Sequence, residues 1–116
     1  MTRQLVMYSR TTGCPFITVA KRVLDDHALS YHEIYIDKDM EARKRVLEWT
    51  GFLSVPTLVV AEAGEVMPYQ VPPPLPSGSS PRGINRGSMI TEGNIEQLEI
   101  WLAQNGFINS ADGIEG

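Results

Sequence analysis

Short apolar runs along the chain predict four β-strands. The continuous run at 5–8 is typical of a strand that is buried on both faces of a sheet. Residues 31–36 are rich in aromatic and β-branched side chains, and residues 57–60 form a third apolar run. The segment 66–71 is predicted to pair back on the third strand as a hairpin. Because Pro68 lies inside this fourth strand, we expect the strand at the edge of the sheet.

Helical spacing of apolar residues predicts three helices. The first begins at Pro15, since proline is favoured in the first turn, and Cys14 therefore lies at the helix N-terminus. The second covers 40–50 with Asp39 as its N-cap, and the third begins near Asn94, which starts a capping-box pattern. The side chains expected to be buried are Phe16, Val19, Ala20, Val23 and Leu24 in the first helix, Ala42, Val46, Leu47 and Trp49 in the second, and Ile95, Leu98, Trp101 and Leu102 in the third.

The predicted order of elements is β-α-β-α-β-β-α, which indicates an α/β fold. A strand, helix and strand of these lengths imply two parallel strands joined by a right-handed crossover, and the final hairpin adds antiparallel strands. We therefore expect a four-stranded mixed sheet with helices on both faces. The domain is expected to span 1–108 with a proline-rich loop inserted at 72–87, and 109–116 to form a flexible C-terminal tail.

Composition and charge narrow the class of protein. The 116 residues suit a single domain, and neither a membrane-spanning segment nor a secretion signal is visible, so we expect a cytoplasmic protein without a membrane partner. Residues 1–60 hold eight basic and seven acidic side chains, whereas residues 61–116 hold two and seven. Acidity without a basic stripe argues against nucleic acid as a partner. His27 and His32 have no ligand spacing, so no metal site is predicted.

Cys14 is the candidate reactive group. It is the sole cysteine, so the chain cannot form an intramolecular disulfide. A thiol at a helix N-terminus meets unpaired backbone N–H groups and the positive end of the helix macrodipole, and both favour the nucleophilic thiolate. Arg10, in the same loop, adds positive charge. The alternative is a buried cysteine that acts only as a small apolar side chain.

Two short motifs in this element order resemble those of the glutaredoxins, within the thioredoxin superfamily. Cys-Pro-Phe-Ile at 14–17 opens the first helix, and Ser-Val-Pro-Thr at 54–57 opens the third strand. The resemblance covers roughly residues 4–70 and the helix at 94–106, and it leaves the proline-rich loop outside. It implies a thioredoxin-like fold of glutaredoxin type and a thiol–disulfide oxidoreductase with Cys14 as its nucleophile.

The resemblance also implies a site for glutathione. Phe16 is expected to flank the substrate groove, Pro56 to be a cis-proline, and the backbone of Val55 to pair with the cysteinyl part of glutathione. Arg10 and the helix N-terminus at Asn94 are the further candidate contacts with this co-substrate.

Departures from the family pattern shape the expected chemistry. Ile17 stands where dithiol members have a second cysteine, which predicts a monothiol mechanism acting on glutathionylated or disulfide-containing proteins. Glutathione or another low-molecular-weight thiol is the expected co-substrate, and no tightly bound cofactor is expected. The family's Gly-Gly and acidic segment, which holds the glutamyl end of glutathione, has no clear counterpart at 91–94, where Glu92 would oppose an anion.

Two alternatives stay open at this point. The protein could be a non-enzymatic iron–sulfur cluster carrier, although the cluster-carrying branch of the family has Cys-Gly-Phe-Ser where this chain has Cys-Pro-Phe-Ile at 14–17. It could also be a degenerate thioredoxin-fold module that binds a partner. The proline-rich loop is interpreted as a flexible insertion, with a polyproline-type partner motif and a flap over the Cys14 site as the alternatives.

Overall fold

The computed structural model of the protein describes residues 2–109, and its elements follow the predicted order. The predicted tail lies, except for Asn109, outside the described residues. The elements are β1 Arg3–Ser9, α1 Pro15–Asp26, β2 Tyr31–Tyr35, α2 Met40–Thr50, β3 Thr57–Glu62, β4 Met89–Thr91 and α3 Ile95–Gln104.

The four strands form one mixed sheet in the order β2-β1-β3-β4. β1 runs parallel to β2 and antiparallel to β3, and β4 runs antiparallel to β3. In this register Thr57 at the start of β3 pairs with Tyr8 near the end of β1 and with Thr91 at the end of β4. The loops after β1, before β3 and after β4 therefore meet at the same end of the sheet.

Helices cover both faces of the sheet, as predicted. Alternate side chains of β1 point to opposite faces. Leu5 and Met7 belong to a cluster with side chains of α1 and α3, whereas Val6 and Tyr8 belong to a cluster with Val46 of α2. Each face is therefore closed by its own apolar core.

The predicted strand at 66–71 is wrong, and Met89–Thr91 forms the edge strand instead. Only one main-chain hydrogen bond joins the segment to β3, from the N–H of Tyr69 to the carbonyl of Val60 at 2.8 Å. Pro68 has no N–H to offer to a ladder. Met89 is fully buried (0% exposed), so pairing this later segment places apolar side chains in the core.

Some core assignments also differ from the prediction. Leu47 and Ile95 are 49% and 50% exposed, and in α1 Ile17 is buried whereas Phe16 is only half-buried. The buried face of α2 consists of Ala42, Val46 and Thr50, which are spaced by four residues. Leu47 follows Val46 by about 100° around the helix axis and so falls outside this narrow stripe.

The proline-rich loop at 72–87 lies in the connection between β3 and β4 and packs against both sides of the domain. Arg86 donates from Nη1 to the carbonyl of Trp49 at 2.6 Å and from Nε to the carbonyl of Pro73 at 3.0 Å. Trp101 of α3 donates from Nε1 to the carbonyl of Gly87 at 2.8 Å. The loop is thus fixed to the ends of two helices.

Candidate active site around Cys14

Cys14 caps the N-terminus of α1 in an extended conformation, with φ −157° and ψ 131°. Its carbonyl accepts hydrogen bonds from the N–H groups of Ile17 and Thr18, both at 3.1 Å. Proline at position 15 suits the first turn because its missing N–H would have no partner there. The thiol is half-buried, with Sγ 3.9 Å from the carbonyl oxygen of Val55. The sequence pattern placed this cysteine correctly at the helix start.

The loop before Cys14 is tied to the end of β2 by one carboxylate. Both oxygens of Asp37 accept from the N–H of Thr11 at 3.2 Å, and the Thr11 hydroxyl donates a further hydrogen bond to Asp37. The hydroxyl of Thr11 is the main cause of a lowered pKa at Asp37. This arrangement holds the loop that carries both the exposed Arg10 and Cys14.

The approach to β3 forms the second wall of the site. The peptide bond between Val55 and Pro56 is cis, as predicted. The carbonyl of Pro56 accepts from the N–H of Glu92 at 2.9 Å, and the hydroxyls of Thr57 and Thr91 lie 3.0 Å apart. The segments before β3 and after β4 are therefore joined to each other.

Val55 has unused hydrogen-bonding capacity on its main chain. The residue is 3% exposed, yet in the described part of the chain no group hydrogen-bonds to its N–H, and its carbonyl has only the weak thiol contact of Cys14. Buried backbone groups in proteins nearly always have partners. The N–H and C=O of Val55 are therefore available to an extended peptide-like ligand next to the thiol.

A cavity of about 390 Å³ joins these elements. Of the predicted site residues, Cys14, Arg10 and Val55 line it. Phe16 and Pro56 lie beside it rather than in its lining, and Asn94 caps α3 by accepting from the N–H of Gln97. The remaining lining residues are Phe52, Leu53, Ser54, Ser80, Pro81, Arg82 and Glu92.

Two charged residues of this cavity were not predicted as ligand contacts. Arg82 comes from the proline-rich loop, and its Nη2 lies 3.6 Å from Oε2 of Glu92. Its guanidinium also lies over the ring of Phe16, 4.9 Å from the centroid. Glu92 therefore faces a cation in the cavity. One feature of the sequence could have pointed to Arg82 as a functional residue. Both basic residues of 61–116, Arg82 and Arg86, lie in the proline-rich loop.

Other candidate features of the sequence have structural explanations. The Nε2 of His27 lies 3.0 Å from Oε2 of Glu99, and His32 is exposed on β2. Among residues 2–109, no group of three or more His, Cys, Asp or Glu side chains is placed to hold a metal ion. No helix in the same range is long and apolar enough to cross a membrane.

A cysteine at the start of α1 and a cis-proline before β3, on a β-α-β-α-β-β-α sheet, define a thioredoxin-like protein. The glutaredoxin family model matches residues 5–64, just over half of the chain, and the protein therefore belongs to the glutaredoxin family. The family and the fold support a glutaredoxin-like redox role. The match ends before the proline-rich loop.

Solved structures similar to this chain include two plant glutaredoxins. One is a buckwheat glutaredoxin–glutathione complex with 18% identity and a TM-score of 0.46, covering 90% of this chain and 72% of that chain. The other is the holo form of glutaredoxin C1 from Populus tremula x tremuloides, with 17% identity and a TM-score of 0.43, covering 89% and 76%. No curated protein matches the chain.

Proposed function

We propose that the protein is a glutathione-dependent thiol–disulfide oxidoreductase that uses Cys14 as its only redox thiol. The observation that carries the proposal is the pairing of a half-buried thiol with the free main-chain groups of Val55 in one cavity. Cys14 is the sole cysteine of the chain, and the residue one helical turn after it is the buried, apolar Ile17, so the chain offers no second thiol to resolve an intermediate.

The proposed reaction has two exchange steps. The thiolate of Cys14 attacks the glutathione sulfur of a glutathionylated protein, a new S–S bond joins Cys14 to glutathione, and the protein leaves as a thiolate that takes a proton from water. The thiolate of a second glutathione then attacks the sulfur bound to Cys14. This step forms glutathione disulfide and returns Cys14 to its thiolate, so one disulfide is reduced for each one formed.

The other site residues have supporting roles in this proposal. The N–H and C=O of Val55 pair with the backbone of the cysteinyl part of glutathione, and Pro56 fixes the direction in which these two groups of Val55 point. Arg10 adds positive charge near the attacking sulfur, and Phe16 flanks the groove. The N-terminus of α3 at Asn94 offers backbone N–H groups to a carboxylate.

Intact-mass measurement after incubation with glutathione disulfide tests the reactive site. We expect one glutathione adduct on the wild type, none on Cys14→Ser, and turnover of a glutathionylated peptide by the wild type alone. Ile17→Cys is the matched control, because a thiol one turn away should displace glutathione and close an intramolecular disulfide. Wild-type protein with neither adduct nor turnover contradicts the proposal.

The cluster-carrier alternative predicts a different observation. After anaerobic incubation with iron and sulfide, a cluster carrier would show visible absorption that is lost in Cys14→Ser. Such absorption in a protein without thiol turnover would replace the proposed activity by cluster transfer.

A further inference from the structure

The proline-rich loop brings a cation to the Cys14 cavity from outside the region that matches the family model. Residues 5–64 carry the match, and Arg82 enters the cavity from the later segment between β3 and β4. The opposite wall contributes Arg10, and Glu92 is the only carboxylate among the lining residues in the described part of the chain. The lining therefore carries two positive charges and one negative charge.

The backbone of the loop fixes the position of Arg82. The N–H of Gly83 donates to the carbonyl of Thr91 at 2.7 Å, and Arg82 forms an isolated bridge with the same residue. Gly83 has φ +73°, and a Cβ atom there would lie 2.8 Å from Nε2 of Gln97. Glycine thus allows the loop to lie close to the end of β4 and the start of α3.

The guanidinium of Arg82 has donors to spare. Its side chain is 61% exposed, its separation from Glu92 is 3.6 Å, and it makes no hydrogen bond to any group between residues 2 and 109. A guanidinium carries five N–H donors in a fork that matches a carboxylate. The ring of Phe16, 4.9 Å below, supports one of its faces and leaves its edge open.

We propose that Arg82 binds a carboxylate of the thiol co-substrate, so that the proline-rich loop makes the enzyme select anionic over neutral thiols. The inference rests on the proposed function, since it concerns the thiol that regenerates Cys14. The carboxylates of glutathione provide the negative charge, and Arg82 acts on binding and orientation rather than on the sulfur exchange itself.

The test compares thiols of different charge in a single exchange step. Cys14 is first converted to its mixed disulfide with glutathione. The rate at which an added thiol removes this glutathione and frees Cys14 is then measured with glutathione, with glutathione diethyl ester and with β-mercaptoethanol. We expect the wild type to prefer glutathione over its diester by about tenfold, and Arg82→Gln to lose most of that preference. The wild-type preference should also shrink at high salt, because the group is exposed.

Arg22→Gln is the control for the loss of one positive charge. Arg22 is exposed on α1 and does not line the cavity, so its substitution should leave the ratio of the two rates unchanged. Arg82→Gln with the wild-type ratio, or with both rates lowered equally, would overturn the inference. A wild-type mixed disulfide that no thiol reduces would instead overturn the proposed function, so the two failures are distinguishable.

Discussion

Arg82 and Arg86 lie in the same loop and have opposite environments. Arg86 is 6% exposed, with hydrogen bonds to the carbonyls of Trp49 and Pro73. The side chain of Arg82 is 61% exposed, and its guanidinium makes no hydrogen bond within the described residues. One arginine has its donors directed into the protein, and the other has its donors directed to the cavity.

This difference separates a structural cation from a cation available to a ligand. Burial lowers the pKa of Arg86, and no carboxylate in the range 2–109 lies within ion-pair distance of it. Carbonyl oxygens at the end of α2 and in the loop instead compensate for its desolvation. Arg86 therefore holds the loop in place, whereas Arg82 contributes little to the fold.

The largest expected effect is on stability at Arg86. Arg86→Met should lower the free energy of unfolding by about 2–4 kcal/mol, because the carbonyls of Trp49 and Pro73 lose their donor. Urea unfolding measures this change. Arg86→Lys should recover part of it, since a lysine keeps the charge but cannot bridge both carbonyls. A loss below about 0.5 kcal/mol in Arg86→Met would contradict the structural role.

A second, smaller effect is expected at the same end of the loop. The hydroxyl of buried Ser88 donates to the carbonyl of Gln70 at 2.6 Å, and Ser88→Ala should cost about 1 kcal/mol of unfolding free energy. Ser80→Ala is the matched change in the exposed middle of the loop, where the hydroxyl only accepts from the N–H of Arg82 at 3.2 Å. Equal losses in both variants would show that the middle of the loop and its end at Ser88 are held alike.

Local rules explain why the elements around Cys14 were predictable. Proline at position 15 fits the first turn of α1, and the carboxylate of Asp39 accepts from two N–H groups at the start of α2. Asn94 and Gln97 form the capping box that their spacing indicates. Each capping residue lies within four residues of its partner. The sequence alone is therefore enough to predict these helix starts.

Long-range pairing explains what was missed. The edge of β3 pairs with Met89–Thr91 rather than with 66–71, a choice that depends on which segment buries its apolar side chains. The position of Arg82 depends in turn on the hydrogen bond from Gly83 to Thr91. Since no periodicity exists in the loop, its path over the cavity had no local signal.

A small effect on stability is expected at Arg82. Arg82→Gln should change the unfolding free energy by no more than about 0.5 kcal/mol, because an exposed ion pair and a ring contact contribute little. The urea midpoint of this variant should therefore match that of Arg22→Gln, the charge control. A loss as large as that of Arg86→Met would mean that Arg82 holds the fold and not a ligand.

The smallest effect is expected at Asp37, an exposed carboxylate. It holds the loop at Thr11, on the side of the cavity opposite Arg82. Hydrogen bonds from Thr11 lower the pKa of Asp37 below its usual 3.8, so the ionised carboxylate is favoured in the folded state. Its contribution is therefore fully present above that value and is lost as the pH falls through the lower folded pKa. The stability difference between wild type and Asp37→Asn should stay constant from pH 7 to about pH 5 and shrink below it. Asp26→Asn, at an exposed carboxylate without a hydrogen bond among the described residues, controls for the charge change. A difference for Asp37→Asn that grows as the pH falls would contradict this sign and leave the Thr11 loop without its proposed support.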